Sequence, residues 1–95
     1  KAASMSPGNA AQNYYNLGVT MFNSGNSAAA VDAFKQAIAV DPNYAEAYFQ
    51  LGICLSGKPD TIPEAIEAFQ KYVQIGKEPD QVEVAKQILG TLKAK

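Results

Sequence analysis

The chain has 95 residues, enough for one small domain, and its eight lysines against nine acidic residues leave a net charge of -1. Arginine, histidine and tryptophan are absent and the lysines are scattered from Lys1 to Lys95, so the basic patch of a nucleic-acid or membrane-surface binder is missing. A single cysteine, Cys54, excludes an internal disulfide, and no apolar run approaches the roughly 18 residues that a spanning helix needs.

Residues 1–8 are small and polar and read as a flexible lead-in. The chain begins with Lys1 and no signal peptide is visible, so it reads as a piece of a longer protein. Its compartment, cytoplasm or periplasm, stays open. Asn9 and Gln12 have the spacing of a capping box, which predicts a helix over about Ala10 to Ser24. Gly25-Asn26-Ser27 is a turn, with Ser27 as the next cap. The second helix carries Val31, Phe34, Ala37 and Ile38 on one face and ends at Asp41-Pro42, because the residue before proline is driven out of the helical region.

Asn43 and Glu46 repeat the capping spacing ahead of a third helix, about Tyr44 to Ser56. Gly57-Lys58-Pro59-Asp60 breaks it. Thr61 and Glu64 form another capping pair, with Pro63 accepted in the first turn, and the fourth helix carries Ile66, Phe69 and Val73 to Gly76. After a loop from Lys77 to Asp80, a fifth helix is predicted over Gln81 to Ala94, with Val84, Ile88 and Leu92 on one stripe. No segment alternates with period two, so no sheet is expected.

A fixed offset runs through these helices. Tyr14-Tyr15-Asn16-Leu17-Gly18 returns as Tyr48-Phe49-Gln50-Leu51-Gly52, 34 residues later. Such a period marks a repeat architecture. The first unit reads Tyr14, Leu17, Gly18, Met21, then Ala30, Phe34, Ala37 and Pro42. The second reads Tyr48, Leu51, Gly52, Leu55, then Ala65 and Phe69, with one residue inserted between its helices. Both units resemble the tetratricopeptide repeat (TPR), a 34-residue helix-turn-helix. The second departs from the pattern, with Tyr72 where the first has Ala37 and with a late Pro79. The resemblance implies an all-α, five-helix, TPR-like helix-turn-helix superhelix. It places the first repeat at 9–42, the second at 43–79 and a C-terminal capping helix at 80–95. Gly18, Gly52 and the small alanines allow close helix approach, and Tyr14, Phe34, Tyr48 and Phe69 fill the space between helices.

Little in the chain points to catalysis. Without histidine the commonest general base and metal ligand is gone, and Cys54 reads as a packed residue. Glu64, Glu67 and Lys71 read as a solvated face with one i, i+4 pair. No cofactor or metal is expected. A second apolar stripe is more informative. Tyr15, Val19 and Phe22 lie beside the packing face of the first helix, and Phe49, Ile53 and Ser56 repeat the stripe on the third. The resemblance implies that Gln12, Tyr15, Val19, Phe22 and Asn23, with Glu46, Phe49, Ile53 and Ser56, line a concave groove for a peptide or helix. The alternative is that the stripe is covered by the fifth helix or by further repeats. The lysine, asparagine and arginine clamp with which some members grip chaperone tails is not matched, since Tyr15, Val19 and Gln50 occupy its places. The function expected is a non-catalytic scaffold or adaptor that binds another protein or peptide, without nucleic acid or membrane. A homodimer, or a spacer segment of a larger repeat protein, is the competing reading.

Overall fold

A computed structural model of the chain describes residues 7–94. Its elements are α1 (Pro7–Asn23), α2 (Ser27–Val40), α3 (Ala45–Leu55), α4 (Ile62–Ile75) and α5 (Pro79–Lys93), with a short 3-10 turn, Pro59–Thr61, ahead of α4. Among the described residues there is no strand, and the helical-repeat class stands. Helices consecutive in sequence pack in space: α1 on α2, α2 on α3, α3 on α4 and α4 on α5, with α1 also touching α3.

Each pair closes on an aromatic ring laid over a glycine. Phe34 of α2 covers Gly18 of α1, and Phe69 of α4 covers Gly52 of α3; both rings are fully buried. A methyl group at Gly18 would lie 2.6 Å from the Phe34 ring, and one at Gly52 would lie 2.7 Å from Phe69. Glycine costs about 1 kcal/mol in a helix interior relative to alanine. Burying a phenylalanine ring contributes about 1.5–3 kcal/mol, so the close approach is favourable overall. The core then runs through Phe49, Leu51, Leu55 and Tyr72 to Leu89 and Leu92 of α5.

The helix ends differ from the sequence expectations in physically readable ways. The lead-in expected over 1–8 lies outside the described residues except at Pro7 and Gly8, which already belong to α1. Asn9 is therefore inside the helix, not its cap; proline is well suited to a helix start. At the other end of α1, Gly25 has φ +87°, Gly25 N–H donates to Phe22 O and Asn26 N–H donates to Met21 O. That pair of bonds is a Schellman closure, and it needs a residue that tolerates left-handed backbone. Asn26, not Ser27, caps α2, its side chain accepting from Ala29 N at 3.2 Å.

Neither of the two later capping pairs forms. Asn43 N–H donates to Asp41 Oδ1 at 3.1 Å, leaving Tyr44 at the N-cap of α3 without a side-chain bond. Thr61 sits at the N-cap of α4, but its hydroxyl donates back to Leu55 O at the end of α3 and to Lys58 O. The inserted residue is thus absorbed in a turn that fastens α3 to α4. Pro79 opens α5 instead of lying in a loop, two residues ahead of the expected start. On α5 the buried stripe is Ala85, Leu89 and Leu92, while Val84 is exposed.

Candidate functional site

The repeat offset gives α1, α3 and α5 equivalent places in the sequence. Gln12 and Glu46 are 34 residues apart, and Gln81 follows 35 residues after Glu46. Gln81 Nε2 donates to Glu46 Oε1 at 3.1 Å, so α5 continues the face that α3 presents. The same offsets relate Tyr15, Phe49 and Val84, and also Val19, Ile53 and Ile88. Gln81, Val84 and Ile88 were not among the groove residues expected from sequence. The inserted residue shifts α5 by one, and only the 35-residue step brings them into line.

The expected groove residues differ in exposure. Gln12 and Asn23 are exposed, as is Phe22 at 37 %. Tyr15, Val19, Glu46, Ile53 and Ser56 are half-buried. Phe49 is the exception, only 9 % exposed. Its ring meets Phe69 edge-on at 5.6 Å and Tyr72 at 5.2 Å, both from α4, so it belongs to the core beneath the face. The Ser56 hydroxyl is engaged with Ile53 O at 2.8 Å.

Tyr15 is held between Phe34, at 5.7 Å, and Tyr44, at 5.3 Å. Burial raises the Tyr15 phenol above its ordinary value; the Gln50 side chain opposes this and the Glu46 carboxylate adds to it. Tyr44 is also raised, first by burial and then by Tyr15, Glu46 and Asp41. Glu46 therefore acts on both rings of the pair.

Other features fall outside this face. Cys54 is buried, and burial pushes its thiol up, away from an activated thiolate. Glu64 meets Lys35 of α2 at 3.9 Å, with both side chains about half exposed, a geometry worth little in water. A depression of about 710 Å³ opens between the first turn of α4 and the last of α5, walled by Ile62, Pro63, Ile66 and Leu92. Among the described residues no group of acids and cysteine could hold a metal ion, and no helix is long and apolar enough to cross a membrane. Tyr14, expected as a filler between helices, is instead 37 % exposed, and Leu17 beside it 47 %.

A comparison with curated proteins gave no match. Residues 21–56 match the family model described as TPR repeat, a stretch that runs from the end of α1 across α2 to the end of α3. Repeats of that family are generally protein-interaction modules and typically non-catalytic scaffolds. Two helix pairs, each closed by a ring over a glycine, fit the helix-turn-helix repeat to which residues 21–56 are similar.

Proposed function

We propose that the chain is a non-catalytic protein-interaction module that holds a peptide or helix of another protein along the shared face of α1, α3 and α5. One observation carries the reading. Apolar side chains stay accessible near the end of α1, at Phe22, and near the start of α5, at Val84, and half-buried Tyr15, Val19, Ile53 and Ile88 belong to the rows between these helices. Contiguous apolar surface of this kind marks interaction sites. Gln12, Asn23 and Gln81 border it with amides, which can both donate to and accept from a peptide backbone. Phe49 supports the face from beneath and makes no contact of its own. In this reading residues 9–42 form one repeat, 43–79 a second, and 80–95 a capping helix. The partner is a protein; the scattered lysines favour neither nucleic acid nor membrane.

The test is peptide selection on the purified chain, followed by Phe22→Ser and Val84→Ser. Both variants keep their helical circular dichroism and lose the selected peptides. Undiminished binding would move the site elsewhere.

A second reading, self-association, is favoured by exposed Tyr14 and Leu17, whose counterparts are half-buried, at Tyr48, and buried, at Leu51. Sedimentation equilibrium over a wide concentration range decides it. A monomer throughout removes the dimer, whereas a Tm that climbs with concentration supports it.

A further inference from the structure

The face of α1, α3 and α5 is unevenly charged. Gln12, Glu46 and Gln81 stand in one equivalent row, and only Glu46 carries a charge. The rows of Tyr15, Phe49 and Val84 and of Val19, Ile53 and Ile88 carry none, and no lysine stands in any of the three. Among the described residues the ion pair is Lys35–Glu64, between α2 and α4, and no cation of those residues pairs with Glu46.

Glu46 is half-buried at the end of the face where α2 turns into α3. One of its oxygens accepts the Gln81 amide at 3.1 Å, and an ionised carboxylate has acceptor capacity to spare. Beside it the Tyr15 and Tyr44 rings lie 5.3 Å apart, tilted by 33°. Asp41 adds negative potential at Tyr44. A carboxylate with acceptor capacity to spare attracts a cation through a charge-assisted hydrogen bond.

We infer that the bound segment carries a lysine or arginine that sits against Glu46 beside the Tyr15–Tyr44 pair, with aliphatic side chains following along Val19, Ile53 and Ile88. This rests on the interaction reading above and adds the chemistry of the ligand to it. Glu46 also lies in the first turn of α3, where the helix dipole welcomes a carboxylate. Neutral Gln12 and Gln81 in the same row show that the repeat itself does not demand a charge there.

The probe is a random dodecapeptide display library selected on the wild-type chain. The selected pool is enriched in one basic residue flanked by aliphatic ones. Its binders weaken about tenfold on Glu46→Gln, the scale of a lost charge-assisted contact. They also weaken on Val84→Ser, with circular dichroism confirming that both variants are folded. Binders that need Val84 but lack a basic residue, prefer an acidic one, or ignore Glu46→Gln would overturn this inference and leave the interaction face standing. A library that yields no binder, or only binders indifferent to both Phe22→Ser and Val84→Ser, would overturn the face and the inference together.

Discussion

Leu17 and Leu51 hold the same place on α1 and α3, yet Leu17 is 47 % exposed and Leu51 only 7 %. The helices do not account for this; their neighbours do. α3 packs against α2 on one side and α4 on the other, whereas α1 packs mainly on α2. Tyr48 illustrates the same asymmetry. Its hydroxyl donates to Pro42 O at 2.9 Å, fastening α3 to the turn ahead of it, while Tyr14 leaves its ring exposed on α1. Repeating a sequence repeats the shape of a helix pair, but the stability drawn from each slot depends on what lies against it. Leu51→Ala is therefore expected to cost about 2–5 kcal/mol and Leu17→Ala less than about 1, read from urea or thermal unfolding. Equal costs would mean that the outer face of α1 is covered in solution, and the contrast would fail.

The two glycines sharpen the point. A methyl group at either would press on a buried ring, Phe34 or Phe69, at under 3 Å. Among the described residues little besides α2 packs on α1, so α1 has room to move away from it. α3 is held from both sides. Gly52→Ala is expected to cost about 1–3 kcal/mol, the usual scale of overpacking, and Gly18→Ala distinctly less once the helix preference of alanine is counted. If Gly18→Ala proves the worse of the two, α1 is as firmly held as α3.

The turns inside the two pairs are closed by different means. Gly25, at φ +87°, completes the Schellman closure after α1. Gly57 has no positive φ, and a methyl group there would meet only Cys54 O at 3.7 Å; Thr61 fastens that turn instead. Gly25→Ala should lower stability by about 1 kcal/mol or somewhat more, and Gly57→Ala should be neutral or raise it by a few tenths. The matched pair of melting curves checks both.

The fold was legible in the sequence because the 34-residue offset constrains many positions at once, and no single cap or turn had to be right. The helix ends were less legible. Asn43 and Thr61 have the residue type and spacing of caps, but Asp41 offers Asn43 a nearer acceptor and Leu55 O offers one to Thr61. Those choices depend on neighbouring turns that spacing alone does not reveal. Of the groove residues expected on α1, Gln12, Phe22 and Asn23 are exposed and Tyr15 and Val19 half-buried, so the stripe remains a candidate face there. Phe49 is buried where an accessible residue was expected, because the equivalence with Tyr15 says nothing of Tyr72, which α4 lays over Phe49 in a slot where α2 has only Ala37. The proposed extension onto α5 did not enter the expected groove, since the inserted residue hides Gln81, Val84 and Ile88 from a 34-residue frame.

Tyr72 offers the finest test of the difference between repeats. In the first, the ring beside Tyr15 is Tyr44, from the following turn. In the second, the ring beside Phe49 is Tyr72, from the paired helix and fully buried. The exchange brings a hydroxyl inside, and among the described residues it has no hydrogen-bond partner. An unpaired buried polar group costs free energy that a hydrogen atom in its place does not. Tyr72→Phe, which keeps the ring, is therefore expected to raise stability by up to about 1 kcal/mol, visible as a Tm several degrees higher. The pH dependence carries the same information. Burial, then Glu46 and Glu78, raise the Tyr72 phenol above its ordinary 10.0. Below pH 10 the phenol is neutral in both the folded and unfolded chains. As pH rises past 10 the unfolded chain releases its proton first, so stability falls with pH until the raised value is passed. Tyr15, Tyr44 and Tyr48 act in the same direction. The Tyr72→Phe variant should lose less stability than the wild type between pH 9 and about 11, a window set by the ordinary phenol value. A parallel alkaline loss in the two proteins would mean that the hydroxyl is solvated in the folded chain, and that the second repeat carries no burden the first lacks.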